Sequence, residues 1–286
     1  MRPPREAIEA ALGASVVDIR SVPGGDVNQA LRVALADERD VFIKYRRGAR
    51  RDLYEAEADG LAWLGSAAAL DVPAVIGVGP DEHAFLALEW VETGPASIDD
   101  HRLLGEGLAE LHAVGAEQFG YSRGNYIGPL SQPNDAATDW PEFYGQTRLL
   151  PMAERAELAG GIERHTVARV EQLVARLPEL LPADEPPARL HGDLWSGNVL
   201  FARNGGPVLI DPAVYAGHRE IDLAMMRLFG GFQDVAFAAY ESVAPLQAGW
   251  AERVPVYQLY PLLVHAVLFG ATYGSSVDAI LTRYTH

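Results

Sequence analysis

The chain has 286 residues, of which 49% are hydrophobic and 22% are charged, so it can bury a substantial core and does not have the composition of a disordered protein. Its net charge of −16 argues against nonspecific binding to nucleic acid or to an anionic membrane surface. The absence of cysteine excludes disulfides, thiolate nucleophiles and zinc–thiolate sites. No signal-peptide core and no run of about 18 apolar residues is visible, so we expect a cytoplasmic protein. The sequence gives no indication of the oligomeric state.

The first third of the chain is expected to form a small β-sheet with one helix against it. Strands are predicted where residues alternate or run apolar, and helices where apolar residues recur at helical spacing. The elements predicted in this way are a short helix at 5–12, strands at 30–35 and 41–44, a helix at 52–64, and strands at 75–78 and 85–90.

The rest of the chain is mostly of helical periodicity. Its predicted helical segments are 100–119, 151–180, 220–245 and 255–273. A hairpin is embedded among them, because two short apolar runs flank an Asn-Gly turn at 204–206. We therefore predict two lobes, residues 1–91 and residues 92–286.

The segment HGDLWSGNVLFARNGGPVLIDP, residues 191–212, contains the elements of a phosphoryl-transfer site. Asn198 follows Asp193 by five residues, and Asp211 follows after the hairpin. The hairpin can bring the three side chains to one cleft, where carboxylate and amide oxygens suit magnesium held against phosphate. Protein kinases use the same order of a catalytic Asp, an Asn and a metal-binding Asp. Each residue alone is more often an ordinary loop residue, but the ordered set favours a kinase-like site.

Lys44 is the only lysine among 23 basic residues, and it closes the apolar strand VFIK. An ammonium is a compact point charge, which suits contact with phosphate oxygens and pairing with a helix carboxylate. The predicted helix at 52–64 offers Glu55 and Glu57 as partners. They point about 200° apart on a helix, so only one faces the sheet, and we choose Glu57.

Two further segments are candidates for nucleotide contacts. Gly24 and Gly25 lie in a turn whose amides can approach phosphate, although a Gly-Gly pair also marks ordinary hairpins. Glu89 and Val91 lie between the predicted lobes, where the carbonyl of the first and the amide of the second can meet an adenine edge. The alternative for this second segment is a plain linker.

The chain resembles the fructosamine kinase family, within the aminoglycoside phosphotransferase and choline kinase branch of protein-kinase-like folds. The segments that carry the resemblance are GGDVNQA (24–30), VFIK (41–44), YEAE (54–57), NYIGPLSQPN (125–134), W-x-x-FY (140–144), HGDLWSGN (191–198) and DPAVYAGHREIDLAMMRLFGGF (211–232). The resemblance implies an α+β, bilobal fold. A small N-terminal antiparallel lobe with one helix would bind the nucleotide, and a larger, mainly α-helical lobe would carry catalysis and substrate binding.

The activity implied by the resemblance is the ATP-dependent phosphorylation of a ketosamine, the rearranged adduct of a sugar with an amine, at the 3-hydroxyl of the sugar. Such a 3-phosphate is unstable and leaves, which restores the amine and indicates protein deglycation. Asp193 would orient the hydroxyl and accept its proton, while Asn198 and Asp211 would hold Mg²⁺ and Lys44 would neutralise the phosphates of ATP. Ribulosamines or erythrulosamines are favoured over fructosamines. His191 and Asp222 are expected to support the catalytic loop.

The candidates for substrate contact are less specific. Trp195 in the catalytic loop could stack on the sugar or could fill the core beneath the loop. The remaining candidates either bind the substrate or have structural roles; they are Asn125, Gln132 and Asn134 in the family-like insert, and His218 and Glu220 after the metal aspartate.

Three alternatives remain open. The same fold could phosphorylate an aminoglycoside, choline or another amino alcohol. A catalytically silent kinase-like module is disfavoured by the presence of the complete set of catalytic residues. An unrelated nucleotide-binding protein is disfavoured because no G-x-x-x-x-G-K-[ST] motif occurs.

Overall fold

A computed structural model describes residues 3–23, 28–182, 184–203 and 205–284. The elements of the N-terminal part are α1 (Arg5–Leu12), β1 (Val16–Val22), β2 (Gln29–Leu35), β3 (Asp40–Tyr45), α2 (Arg51–Gly65), β4 (Val75–Val78), a 3₁₀ turn (Asp81–His83) and β5 (Phe85–Glu89). The strands form an antiparallel sheet with the order β1-β2-β3-β5-β4.

Both faces of this sheet are covered, because successive side chains of a strand point to opposite faces. In β5, Phe85 packs on the side where α1 places Ile8, and Leu86 packs on the side where α2 places Leu61. The sheet therefore has a helix on each face, whereas the sequence predicted one helix against it.

The C-terminal part is mainly helical and includes three two-stranded sheets. Its helices are α3 (Ile98–Val114), α4 (Trp140–Phe143), α5 (Leu150–Leu158), α6 (Arg164–Leu180), α7 (Glu220–Phe229), α8 (Asp234–Val243), α9 (Trp250–Phe269) and α10 (Ala271–Leu281). A π-helical turn (Tyr144–Leu149) joins α4 to α5, and a 3₁₀ turn (Ser196–Asn198) precedes β9. The paired strands are β6 (Asn125–Ile127) with β7 (Leu130–Gln132), β8 (Ala188–Leu190) with β11 (Tyr215–Gly217), and β9 (Val199–Phe201) with β10 (Pro207–Leu209).

The predicted helix over 220–245 is two helices. Gly230 and Gly231 adopt φ values of 69° and 90°, a left-handed conformation that ends α7 before α8 begins. Helix α3 packs closely against α8. A Cβ atom at Gly105 of α3 would lie 2.0 Å from the carbonyl oxygen of Ala236, so this position leaves no room for a side chain. Within the ranges that the structure describes, no helix is both long and apolar enough to cross a membrane.

The segment after β5 is tied to the hairpin of β9 and β10. The amide of Gly94 donates to the carbonyl of Phe201 at 2.9 Å, and the amide of Arg203 donates to the carbonyl of Glu92 at 2.8 Å. Thr93 and Ala202 form an antiparallel bridge between these two bonds. The connection is therefore held against the edge of the β9–β10 hairpin by an isolated bridge. The division at residue 91 stays a prediction.

Candidate active site

Lys44 lies between two carboxylates in the cleft. Its Nζ is 2.8 Å from Oε2 of Glu57 on α2 and 2.8 Å from Oδ1 of Asp211 beyond β10. Burial alone would lower the pKa of Lys44, but the charges of Asp211 and Glu57 outweigh it, so its pKa lies above the ordinary value. Glu55 instead pairs with Arg51 on the surface. Glu57 is therefore the partner of Lys44, as the sequence analysis chose.

The catalytic loop requires a glycine beside its aspartate. Gly192 has φ +83°, and a Cβ there would lie 2.1 Å from the carbonyl oxygen of Ala213. This close approach lets the amide of Ala213 donate to the carbonyl of His191 at 2.9 Å. The loop is thus held against the chain that follows Asp211.

His191 supports the loop with both ring nitrogens. The amide of Asp193 donates to Nδ1 at 3.2 Å, and Nε2 donates to the carbonyl of Ile210 at 2.9 Å. The ring is neutral, because one of its nitrogens accepts a hydrogen bond while the other donates one. Burial lowers the pKa of His191, which also favours the neutral form. His191 therefore holds the loop in place, in agreement with its expected supporting role.

Asp193 and Asn198 are in direct contact. Nδ2 of Asn198 donates to the backbone carbonyl of Asp193 at 2.8 Å and to its Oδ2 at 3.1 Å. Burial raises the pKa of Asp193 to about 7, and the charge of Asp211 acts in the same direction. A carboxylate with this pKa is suited to accepting a proton near neutral pH.

Asp211 and Asn198 can supply oxygen ligands to one cation. Asp211 has φ 54°, a left-handed turn directly after β10, which the short Asp side chain tolerates. Since the Nδ2 amide group of Asn198 donates a hydrogen bond to Asp193, the Oδ1 atom of Asn198 is the one that can bind a metal. The described residues contain no cluster of three or more His, Asp or Glu suited to a metal. Two oxygen ligands, completed by phosphates and water, fit the way proteins hold Mg²⁺.

A buried aspartate on α7 braces the catalytic loop from behind. Asp222 accepts from the amides of His191 at 2.8 Å and of Gly192 at 2.9 Å. Nε2 of His112 lies 3.2 Å from the same carboxylate, and Nδ1 of His112 lies 2.8 Å from the hydroxyl of Tyr240. The sequence analysis anticipated Asp222 but not His112 or Tyr240. The position of His112 on the apolar face of α3 was the sequence feature that could have indicated a buried polar contact.

The insert residues hold the chain after Asp211. Nδ2 of Asn125 donates to the carbonyl of Val214 at 2.7 Å, and Nε2 of Gln132 donates to the carbonyl of Ala213 at 3.1 Å. Gln132 also donates to Oδ1 of Asn125 at 2.9 Å and accepts from the hydroxyl of Tyr260 at 2.9 Å. Both side chains are buried, so their polar groups are used within the protein.

Asn134 belongs to the same network and connects it to a buried arginine. Its Nδ2 donates to Oδ1 of Asn125 at 2.9 Å, and its Oδ1 accepts from Arg148 at 2.5 Å. The guanidinium of Arg148 lies over the ring of Tyr215, 4.1 Å from its centroid. Arg148 is a site-supporting residue that the sequence analysis missed. A substrate contact by Asn125, Gln132 or Asn134 stays a prediction.

His218 and Glu220 also lie in the interior. The ring of His218 stacks on Tyr257 with a centroid distance of 5.5 Å, and its Nδ1 accepts from the amide of Glu220 at 3.3 Å. Glu220 accepts from Nε of Arg253 at 2.8 Å. Contact with a substrate, as predicted, would require both side chains to leave these buried positions.

Trp195 differs from these residues because its ring reaches the surface. It is 36% exposed, and a Cβ at Gly197 would lie 2.3 Å from the ring. The ring therefore packs over the backbone of Gly197, and its edge meets Phe229 at a centroid distance of 6.4 Å. This position excludes the alternative in which Trp195 fills the core beneath the loop.

The remaining nucleotide candidates lie at the edge of the cleft or outside the described residues. Glu89 ends β5 opposite Val41, and Val91 follows in the connection between the lobes. Gly24 and Gly25 fall outside the residues that the structure describes. The contacts predicted for these four residues stay predictions.

A lysine on an antiparallel sheet, paired with a glutamate of the adjoining helix and facing an Asp, an Asn and a second Asp around a hairpin, defines an ATP-dependent phosphotransferase with a kinase-like fold. The chain belongs to the fructosamine kinase family, whose sequence model matches residues 4–286. The predicted family, kinase activity and α+β bilobal fold are confirmed.

The chain is similar to named relatives over nearly its whole length. It is 42% identical over 268 residues to the probable ketoamine kinase of Enterococcus faecium, with 92% of this chain and 94% of the relative covered. A crystal structure from Thermobifida fusca, provisionally named fructosamine-3-kinase, matches with a TM-score of 0.88 and 41% identity over 98% of both chains. The choline kinase LicA of Streptococcus pneumoniae shares the fold at a TM-score of 0.65, with 14% identity and 98% of both chains covered.

Proposed function

We propose that this kinase phosphorylates the 3-hydroxyl of ketosamines, with a ribulosamine or erythrulosamine favoured over a fructosamine. The observation that carries the proposal is the contact of Asp193 with Asn198, beside the ion pair of Lys44 with Asp211. Membership in the fructosamine kinase family supports a glycated amine as the substrate class.

Asp193 is the general base for the 3-hydroxyl of the ketosamine. Its carboxylate orients the 3-hydroxyl and accepts its proton as the oxygen attacks the γ-phosphorus of ATP, while the bond from that phosphorus to the bridging oxygen of ADP breaks. Asn198 holds the carboxylate through Nδ2, so the base is positioned before the substrate arrives.

The nucleotide is bound by residues from both lobes. Lys44, held by Glu57, neutralises the phosphates, and Gly24 and Gly25 offer backbone amides to them. The carbonyl of Glu89 and the amide of Val91 bind the adenine edge. Asn198 and Asp211 would hold Mg²⁺, which when bound neutralises charge on the phosphates.

The product of this reaction would release the original amine. A 3-phosphate on a ketosamine is lost by elimination, and hydrolysis of the remaining adduct frees the amine. The role that follows is repair of glycated amines, including those of protein lysines. Trp195 would stack on the apolar face of the sugar, because its exposed ring lies two residues from Asp193.

The test is an assay of the purified protein with ATP and Mg²⁺ against ribulosyl-lysine, fructosyl-lysine and kanamycin. We expect ADP release with ribulosyl-lysine, weaker release with fructosyl-lysine and none with kanamycin. Turnover of kanamycin alone would contradict the proposal and favour an aminoglycoside phosphotransferase.

The matched variant is Asp193→Asn, which keeps the size of the side chain and removes the base. We expect kcat to fall by at least about 100-fold, the scale for a lost general base. Binding of a fluorescent ATP analogue should be retained. Equal turnover by the variant would exclude Asp193 as the base.

A further inference from the structure

A connected row of aromatic rings extends outward from the catalytic loop. We name it the aromatic wall and define it as Trp195, Phe229, His265, Phe269 and Tyr273. Ring centroids are 6.4 Å apart from Trp195 to Phe229, and 4.9 Å apart from Phe229 to His265. The row continues over 4.9 Å from His265 to Tyr273 and over 6.0 Å from Tyr273 to Phe269.

The outer rings of the wall are exposed on rigid elements. Phe229 is 40% exposed at the end of α7, and Phe269 is 51% exposed at the end of α9. Gly270, with φ 88°, turns the chain so that α10 begins directly and places Tyr273 against Phe269. Exposed aromatic surface that is fixed by helix ends is typical of a binding site.

His265 adds one polar group to this surface. Its Nδ1 lies 2.7 Å from the carbonyl oxygen of Pro261, and a carbonyl can only accept, so Nδ1 carries the proton. Burial lowers the pKa of His265, which keeps the ring neutral. Nε2 is therefore a hydrogen-bond acceptor among aromatic rings.

These features match the chemistry of an organic ammonium group. Aromatic faces attract cations, and a neutral imidazole nitrogen accepts from an N–H donor. Among the residues that the structure describes, the arginine–ring contacts lie elsewhere, on Trp90, Trp63, Phe237 and Trp250, and around Arg148. The net charge of −16 adds a general attraction for a cation.

We propose that Trp195, the inner end of the aromatic wall, contacts the sugar, and that the rest of the wall is the subsite for the amine half of the ketosamine, namely its secondary ammonium and the adjoining carbons of the amine substituent. This proposal rests on the proposed function. A ketosamine joins this nitrogen to the 3-hydroxyl through three sugar carbons. The backbone amide of Trp195 donates to the carbonyl of Asp193 at 3.1 Å, so the wall begins next to the residue that is proposed to bind the acceptor hydroxyl.

The experiment compares two adducts that share ribulose and differ in their amine, Nα-acetyl-lysine and methylamine. Phe269→Ala should raise KM for the acetyl-lysine adduct by about two- to fivefold, the scale for losing the burial of one methylene of the amine substituent. The increase in KM should be smaller for the methylamine adduct, which lacks those carbons. His265→Phe keeps an aromatic ring but removes the acceptor, and should raise KM for both adducts by about tenfold or more.

Leu158→Ala is the matched control, since it truncates an exposed apolar side chain on α5, outside the wall. We expect its kinetic constants to equal those of the wild type. Phe269 is exposed, so Phe269→Ala should melt at the wild-type temperature. The subsite can therefore be tested with Phe269→Ala even if His265→Phe is destabilised.

The outcomes separate this proposal from the proposed function. A wild-type protein that phosphorylates neither adduct would overturn both. A wild-type protein that phosphorylates both, with KM unchanged in Phe269→Ala and His265→Phe, would overturn the subsite alone. A wild-type dimer that Phe269→Ala converts to a monomer in sedimentation, with KM unchanged, would make the wall an interface between copies and also overturn the subsite.

Discussion

The ammonium of Lys44 lies 2.8 Å from the carboxylate of Asp211, and this ion pair joins the sheet of the small lobe to the chain that follows the catalytic hairpin. The proposed phosphate-binding cation and the proposed metal-binding anion neutralise each other in this arrangement. Glu57, on α2 of the small lobe, lies 2.8 Å from the same ammonium. The cleft therefore holds one ammonium between two carboxylates, and nucleotide with its metal would exchange the Lys44–Asp211 ion pair for contacts of both groups with the phosphates.

We predict that Lys44→Met lowers the free energy of unfolding by about 3–5 kcal/mol, because it leaves Glu57 buried without a counter-charge. The matched control is Arg51→Met, which breaks the exposed pair with Glu55 and should cost less than about 1 kcal/mol. Urea unfolding measures both values. Adding Glu57→Gln to Lys44→Met should restore part of the loss. Equal stability of the two single variants would refute the prediction.

The bracing of the catalytic loop by Asp222 predicts a selective loss of kcat. Asp222→Asn has one acceptor oxygen where Asp222 has two, so it can accept from only one of the two backbone amides. The loop should therefore lose its fixed position. We expect kcat to fall by about 10- to 100-fold, the range for residues that orient catalytic groups, with KM for ATP near the wild-type value. His112→Phe should give a smaller fall. His165→Phe, on the exposed face of α6, is the control and should be silent.

The insert network predicts which kinetic constant changes when it is broken. Gln132→Ala removes the bond to the carbonyl of Ala213 and leaves buried groups unpaired, so we expect a loss of about 1–3 kcal/mol in stability together with a lower kcat. Ser131→Ala, on the same strand but exposed, should change neither. If Gln132→Ala instead raised KM for the ketosamine at unchanged stability, the side chain would be a substrate contact.

Burial of His218 predicts a dependence of stability on pH. Desolvation lowers its pKa to about 4, while the unfolded chain titrates near 6.5, so the unfolded state binds more protons between these values. Stability is therefore lost as the pH falls through this window, by about 2 kcal/mol between pH 7 and pH 5. The charged groups that face His218 are Glu185, Arg219 and Arg253.

Urea unfolding of the wild type and of His218→Asn at pH 7 and pH 5 measures this contribution. The variant keeps an acceptor for the amide of Glu220 but does not titrate in the window. We expect a smaller loss of stability in the variant than in the wild type over this interval. The same loss in both proteins would assign the pH dependence to other groups.

The local patterns predicted the elements of the small lobe well because a strand or helix of this kind depends on neighbouring residues. The strand at 41–44 lies within β3, and the helix at 52–64 lies within α2. Helical geometry predicted that only one of Glu55 and Glu57 would face Lys44, and the structure shows that Glu57 is the one. The break of the segment 220–245 at Gly230 was missed, because two adjacent helices of similar periodicity look continuous until the backbone conformation is known.

Burial of polar residues was the part that the sequence could not predict. Asn125, Gln132, His218 and Glu220 have the side chains of a sugar-binding site, yet their partners are backbone carbonyls or charges far along the chain. Such pairings depend on how distant segments meet, and no local pattern records them. Arg148 was missed for the same reason, since it lies in the π-helical turn and its ring partner Tyr215 lies on β11, far along the chain.

The bridge between Thr93 and Ala202 has a consequence for how the cleft opens. Since the connection is bonded to the β9–β10 hairpin from Glu92 onward, we expect it to move together with the large lobe. The pivot for any swing of the small lobe would then be confined to the few residues between Glu89 and Glu92. A nucleotide bound to the backbone of this pivot would have its adenine close to the rotation axis. The adenine would then move least when the cleft closes, and the phosphates, which lie farther from the axis, would undergo the larger displacement.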